Sequence, residues 1–510
     1  MYAPGVAGSD LAREISGFLN HPTTVRAMQF MGAWWSWDEL RAAAAEIGRL
    51  LTEAGVKHGD GVGLVLRNRP LHAMAILAIL AEDNCVATIN PFQPPTLLAG
   101  DVRRLQLKAI IADAEDWEKP GVAEAAREAG AAAISLSGNE PSGVRISFLS
   151  GCEKPGAGPF RAIPAGTAIE MLTSGTTGAA KRIPLKTRLV YKSAVDGRRP
   201  TKPGQPQRAP FDMSPAIHHL PLVHASGMFG YLMNVLETRP LILLEKFDVE
   251  QWVKAVRENG IKSGNLPPAG VRMILDAKVP KEDLQTLMVV NCGASPLDPE
   301  TEREFEETYD IPILIQYGAT EWIGGLIGWT LPDHREFGVS KRGSIGRPRP
   351  DVEVRVVSQE TGEELPLGEI GVLEVRTSRE GDTGAWTSTS DLAAIDADGF
   401  VFIHGRTDDV IMRGGFKINA SKVADVLRQH PAIRECVVVG LEDARLGQIP
   451  AAAIELKPGA PTVSEAELVS FARERLVPYQ VPARFRIVPE LPRTVSDKVR
   501  RPEVRALFQD

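Results

Sequence analysis

Between Ser36 and about residue 300, helix and strand signals take turns along the chain. "SWDELRAAAAEIGRLLTEAG" opens with Ser36 and Glu39 in the S-x-x-E spacing of a helix capping box and stops at Gly55. "GVGLVLRN" then reads as a buried strand, and "LHAMAILAILAEDN" as the helix after it. A strand that returns parallel to its predecessor needs a long crossover, and a helix is the usual one. The rhythm therefore predicts an α/β fold of mostly parallel sheets covered by helices. At 510 residues the chain exceeds what one hydrophobic core holds, so at least two domains are expected.

The texture changes twice further on. From about 335 to 405, stretches such as "GSIGRPRPDVEVRVV" and "GEIGVLEVRT" are short alternating strands between Gly/Pro turns, which predicts a small β-rich subdomain. A second change falls at "HGRTDDVIMRGG". Beyond it, "SKVADVLRQHP" carries Val423, Val426 and Leu427 at helical spacing, "ECVVVGL" and "AAAIEL" read as strands, and Ser464 with Glu467 repeats the capping-box spacing. The expected division is a large N-terminal domain over 1–407, containing the β-rich subdomain, and a small α+β C-terminal domain over 408–510. One loop, "DGRRPTKPGQPQRAP" at 196–210, breaks the early rhythm with four Pro, two Gly and four basic residues. It reads as a solvated excursion or as a basic rim facing phosphates.

Composition narrows the function classes. A net charge of −7 argues against a broad nucleic-acid surface. Cys85, Cys152, Cys292 and Cys436 form no CxxC pair and no zinc spacing with a His, so buried thiols in a reducing compartment are expected. The start "MYAPGVAGSD" lacks the basic and apolar regions of a signal peptide, and no uncharged apolar run reaches 18 residues. A cytoplasmic protein without a membrane span is expected.

"MLTSGTTGAAKRIPL", residues 171–185, carries the first chemical signal. Gly175 and Gly178 permit close backbone approach, and successive backbone N–H groups in such a loop form a concavity for anions. Hydroxyls of Thr173, Ser174, Thr176 and Thr177 add donors, and Lys181 adds positive charge. The spacing G-x-x-G-x-x-K departs from the G-x-x-x-x-G-K-[ST] of P-loop NTPases.

With six further segments, in order, this loop resembles the AMP-forming adenylate family of acyl-CoA synthetases, aryl-CoA ligases, luciferases and adenylation domains. "TSGTTGAAK" resembles the family's phosphate loop, "PLVHASGMFG" (221–230) its acyl-pocket segment, and "NCGASPL" (291–297) and "QYGATE" (316–321) its adenine and acyl-site strands. "TSDL" (389–392), "GRTDDVIMRGGFKI" (405–418) and "PRTVSDKVRR" (492–501) resemble its ribose-binding, hinge and C-terminal lysine segments.

The resemblance implies that a carboxylate attacks the α-phosphate of ATP, giving an acyl-adenylate and pyrophosphate, and that the thiol of coenzyme A then displaces AMP. It implies the phosphate loop (Thr173, Ser174, Gly175, Thr176, Thr177, Gly178, Lys181) for the β- and γ-phosphates and Thr320 for the α-phosphate. Glu321, with Thr176, would hold Mg²⁺, a hard cation suited to oxygen ligands. Tyr317 would stack on adenine beside Gly293, Ala294, Ser295, Gln316 and Gly318, while Asp391 would accept the ribose hydroxyls near Ile403 and Arg406. Lys498 would bridge carboxylate and α-phosphate, and His224 would lie between acyl pocket and thiol channel. Asp408 would be the hinge on which the C-terminal domain moves, and Gly414 and Gly415 would line the path of the coenzyme A arm.

His218 and His219 read equally as strand or loop residues, and Trp322 and Trp329 as pocket or core. The sequence departs from the family pattern at Ala180 (usually Pro), Ser390 (usually Gly), Met412 (a hinge lysine position), "ASKVA" (acids missing) and Asp497, a carboxylate directly before Lys498.

Among the readings, a carboxylic acid–CoA ligase leads, because no carrier-protein domain follows the lysine segment and "PLVHASGMFG" lacks the acid that would hold an amino-acid substrate's amine. A stand-alone adenylating enzyme loading a carrier protein and an inactive ligand-binding homologue are the alternatives. The apolar residues around His224 and 322–329 suit a fatty, alicyclic or aromatic acid. The expected partners are that acid, ATP and coenzyme A, bound by a monomer or homodimer.

Overall fold

The computed structural model describes residues 8–173, 181–196, 211–319, 322, 324–377, 384–413, 416–443, 445–494 and 499–509. The expectations placed on Ser174 to Gly178, most of the 196–210 loop, Thr320, Glu321, Gly414, Gly415, Asp497 and Lys498 lie outside these residues, as do the side chains of Thr173, Lys181 and Asp408. Among the described residues the chain divides into two compact units, the first ending at Leu326 and the second starting at Ile327.

The first unit begins as the sequence predicts. The helix Trp37–Glu53 is capped by Ser36, whose hydroxyl accepts from Glu39 N–H while the Glu39 carboxylate accepts from Ser36 N–H. Both halves of the box form, so two of the helix's orphan donors are satisfied. The helix Pro70–Ala81 is apolar at every position except His72, and every one of its residues is buried. Such a helix can only be central, with other elements on all sides.

Beside it runs a seven-stranded sheet in the order Arg145–Phe148, Ala132–Ser137, Ala109–Asp113, Gly61–Val65, Cys85–Ile89, Thr167–Thr173 and Lys181–Lys186. The five central strands are parallel, and the two edge strands are antiparallel hairpin partners. Gly61–Val65 pairs with both Cys85–Ile89 and Ala109–Asp113, so the chain reverses its winding direction at this strand. Ligands of doubly wound sheets usually bind at such a switch point, beyond the carboxyl ends of the strands.

Two smaller groups of strands complete the first unit. Ala216–His218, Leu241–Leu243 and Arg26–Phe30 are parallel, with Ala33–Ser36 antiparallel at the end. Ser263–Leu266, Val289–Gly293 and Ile313–Tyr317 run parallel in register Cys292 to Ile315 and Gly293 to Gln316.

The second unit is β-rich at its start. Val352–Val357, Gly371–Thr377, Thr387–Ile395 and Val401–Arg406 form an antiparallel four-stranded sheet. Trp329 belongs to this unit's core, since its indole N–H donates to Ser344 O (2.8 Å) and its ring packs 4.8 Å from Phe400. Of the two readings for Trp329, core is the one observed.

After a 3₁₀ turn at Thr407–Asp409, still inside the second unit, comes the α+β pattern expected from residue 408. Gly447–Leu456 lies between Ile433–Asp443 (antiparallel) and Arg484–Val488 (parallel), packed under the helices Ala420–Arg428 and Glu465–Arg473. The second capping box is a correction. Ser464 accepts from Glu467 N–H, but the Glu467 carboxylate does not return the bond; it lies 3.6 Å from His430 Nε2. The imidazole of His430 takes the place of the helix end as its neighbour.

Candidate functional site

The acyl-pocket segment leaves the sheet at His218 and turns through Leu220–Leu222 into the helix Ala225–Leu236. His224 is that helix's N-cap residue, extended at φ −109° and ψ 153°, and its side chain makes no capping bond. Its N–H donates to Pro221 O and its carbonyl accepts from Met228 N–H, both at 2.9 Å. The imidazole is thus released from helix capping and half-buried at the mouth of a helix.

The two histidines before it serve the frame. Burial pushes the His218 imidazole down to about 3, with the neighbouring His219 adding to the effect, and burial pushes His219 down to about 4. Both are therefore neutral around pH 7. His219 Nε2–H donates to Asn265 O at 2.6 Å and its ring lies against Phe247, while His218 meets Tyr231 edge-on. His219 thereby joins two sheets of the first unit.

The residues expected to meet adenine sit at the carboxyl ends of two adjacent parallel strands. Gly293 ends Val289–Gly293 and Tyr317 ends Ile313–Tyr317. A Cβ on Gly293 would lie 2.7 Å from Gln316 O, so the approach of the strands already requires glycine there. Ala294 follows with φ +72°, a left-handed conformation costing an alanine about 1–2 kcal/mol. Strain of this kind is kept where the surroundings over-determine it, commonly at sites that hold ligands. Ser295 and Gly318 are exposed, and Gln316 and Tyr317 are half-buried. Leu326 N–H returns to Tyr317 O at 2.8 Å, closing the loop that follows the strand.

In the second unit, the ribose-segment residues come together across one antiparallel pair. Asp391 is in register with Arg406, and Ile403 with Ala393 just past a bulge at Leu392. Arg406 Nη2 donates to Ser390 Oγ at 2.6 Å, and its Nη1 lies 3.9 Å from Asp391 Oδ1. The serine in place of the family's glycine thus has an ordinary φ and supplies an acceptor that orients Arg406. The Asp391 carboxylate meets Arg406 at the outer limit of an ion pair and is partly open at 18% side-chain exposure. A carboxylate so placed can accept two hydroxyls.

All four cysteines are buried, and burial drives the Cys85 thiol up to about 12 and those of Cys292 and Cys436 higher still. They are inert packing residues. No helix among the described residues is long and apolar enough to cross a membrane. One residue close to this machinery was absent from the sequence reading: Asn68, buried in "RNRP" directly after a buried strand. A polar residue between two arginines at a strand's carboxyl end was the available signal.

Comparison with known proteins identifies the family. The family model "AMP-binding enzyme" matches residues 18–379, and "AMP-binding enzyme C-terminal domain" matches 422–498. The chain is 25% identical to 4-coumarate–CoA ligase-like 9 of Oryza sativa subsp. japonica, over 94% of this chain and 88% of that protein. It is 26% identical to 2-succinylbenzoate–CoA ligase of Bacillus pumilus, over 94% of each chain. ATP-bound MatB from Rhodopseudomonas palustris shares the fold, with a TM-score of 0.81 at 23% identity, covering 98% of this chain and 99% of that one.

Proposed function

The chain belongs to the AMP-binding enzyme family and is an AMP-forming acid–CoA ligase by kinship; on that premise we propose that it joins a hydrophobic carboxylic acid to coenzyme A in two steps. In the first, a carboxylate oxygen of the acid bonds to the α-phosphorus of ATP, the bond to the β-phosphate breaks, and pyrophosphate leaves. In the second, the thiol sulfur bonds to the acyl carbon, the bond to the adenylate oxygen breaks, AMP leaves, and the thiol proton passes to solvent.

The observation that carries the reading is the ordered match of both family models, which spans the two motif-bearing stretches of the chain. Little covalent chemistry falls to the protein; it positions reactants and offsets developing charge. In the first unit, Tyr317 offers its face to adenine, with the strained Ala294 at the end of the neighbouring strand. In the second, Asp391 accepts the ribose hydroxyls while Arg406 is steadied by Ser390. The phosphate loop, Thr320 and Lys498 carry the phosphate contacts, and Lys498 reduces the repulsion between carboxylate and α-phosphate. Glu321 and Thr176 would hold Mg²⁺, which when bound would neutralise charge on the phosphate oxygens. The boundary near 407/408 and a hinge at Asp408 belong to the same proposal, as does the channel at Gly414 and Gly415.

A pyrophosphate-release assay over benzoates, cinnamates and short, medium and polycyclic acids, with and without coenzyme A, tests it. Release with at least one acid, and a thioester only when coenzyme A is present, is expected. Release without any thioester on coenzyme A would move the acceptor to a carrier protein. No release with any acid would leave a ligand-binding homologue.

A further inference from the structure

At the switch point of the seven-stranded sheet, the place where a ligand is usually found is filled by the protein's own charges. Arg67 makes two 2.8 Å bonds to Asp116, which is fully buried, and a 2.6 Å ion pair with Glu115. Arg69 reaches Asp113 at 2.8 Å and Glu245 at 2.9 Å. Ion pairs as buried as Arg67–Asp116 and Arg69–Asp113 cannot be rearranged cheaply, so they fix the backbone that carries them. Between the two arginines stands Asn68, 3% exposed. Its Nδ2 donates to Leu220 O (3.1 Å) and Leu244 O (3.2 Å), and its Oδ1 accepts from Leu222 N–H (2.8 Å).

We propose that Asn68 is a positioning residue for the acyl-binding turn: its amide fixes Leu220 and Leu222 and so sets where His224 stands. What His224 does there rests on the ligase reading above. Two of the three main-chain partners, Leu222 N–H and Leu244 O, are buried groups with no water to fall back on, and Leu220 O is partly buried. The turn has no slack in the other direction. A Cβ on Gly227 would lie 2.1 Å from Pro221 O and 2.7 Å from Leu220 O, so the first turn of the helix Ala225–Leu236 rests directly on the carbonyls beside Asn68. His224 lies between these two constraints, its own N–H bound to Pro221 O. From the far side, Leu244 N–H bonds to His218 O, so Asn68 also joins the turn to the strand next to its root.

The consequence is specific to one substrate. Misplacing a group at a reacting centre by about 1 Å can cost on the order of a hundredfold, whereas substrates bound elsewhere are unaffected. Truncating Asn68 should therefore damage use of the acid and spare that of ATP.

The test is hydrogen exchange by mass spectrometry over 218–228, together with steady-state kinetics, for Asn68→Ala, His224→Ala and the double variant. Asn68→Asp serves as a second, near-isosteric lesion that keeps an acceptor for Leu222 N–H. In Asn68→Ala, exchange across 220–224 should rise about tenfold or more while Pro70–Ala81 stays protected. The acid's kcat/KM should fall about ten- to a hundredfold with the KM for ATP within about twofold, and the double variant should lose less than the product of the single losses. Unchanged exchange in both Asn68 variants overturns the proposal, as do multiplicative losses or a KM for ATP that rises in step with the acid's. A wild-type protein that turns over no acid would sink the ligase reading alone, and the exchange measurement would still decide what Asn68 holds.

Discussion

The turn that carries His224 and the strand pair that carries Asp391 are built in opposite ways. The turn is held by neutral hydrogen bonds from a buried amide, with 3% exposure at Asn68 and none at Leu222. The pair Ser390–Asp391 and Arg406 is charged and open, with Arg406 at 38% side-chain exposure. One region stores shape and the other presents charge. Buried neutral groups keep a geometry because every alternative leaves a polar atom unpaired. Exposed charges are cheap to move and strong only when a ligand excludes water from them. The difference suits the proposed chemistry, in which the acid must be aimed while the nucleotide must be bound, neutralised and released.

The comparison breaks most easily on the charged side. Lys498→Ala should lower pyrophosphate-forming adenylation by about a hundredfold or more and leave thioester formation from supplied acyl-adenylate largely intact. Equal losses in both half-reactions would remove the separation of roles. Asp391→Ala comes next. Losing the proposed charge-assisted bonds to the ribose should raise the KM for ATP about ten- to a hundredfold with the acid's KM nearly unchanged, the mirror image of the Asn68 lesion. A shift in the acid's KM of similar size would erase the contrast between the regions.

On the neutral side, His219 gives an effect on stability. His219 has a folded-state pKa of about 4 against 6.5 unfolded, because burial disfavours the imidazolium. As pH falls below 6.5 the unfolded chain takes up the proton first, so stability is complete above 6.5, drains away toward 4, and levels off below. At pH 5 the loss is about 2 kcal/mol. His219→Gln keeps a donor for Asn265 O but cannot titrate, so its melting temperature should fall less between pH 7 and 5 than the wild type's. Equal falls would mean that His219 does not join the sheets in its neutral form.

The smallest effect compares the two capping serines. Ser36→Ala removes part of a complete box and should cost about 1 kcal/mol; Ser464→Ala removes a single bond and should cost less, read as the two variants' shifts in denaturant midpoint. The reverse order would mean that reciprocal capping adds nothing at Ser36.

These serines also mark what the sequence could reveal. The Ser36 box was legible because both partners lie within four residues and nothing else competes. The Ser464 box misled because Glu467 has His430 as an alternative, which no local pattern encodes. The fully buried helix Pro70–Ala81 and the parallel strands around it followed from runs of residue type, whereas the antiparallel edges at Arg145–Phe148 and Lys181–Lys186 carry no such signature. Asp391 and Arg406 were named from their motifs, and the register joins them. Asn68 carries only a faint local signal, because its partners are 152 to 176 residues away, and a hydrogen bond across that distance exists only once the sheets are assembled.

The most direct test of the central claim follows an oxygen atom. With the carboxyl group of an accepted acid labelled with ¹⁸O, one labelled oxygen must leave with the AMP when the thioester forms. Mass spectrometry of the products should find AMP carrying a single ¹⁸O and pyrophosphate carrying none. Unlabelled AMP, or label in phosphate or pyrophosphate, would contradict adenylation of the acid and with it the account of both regions.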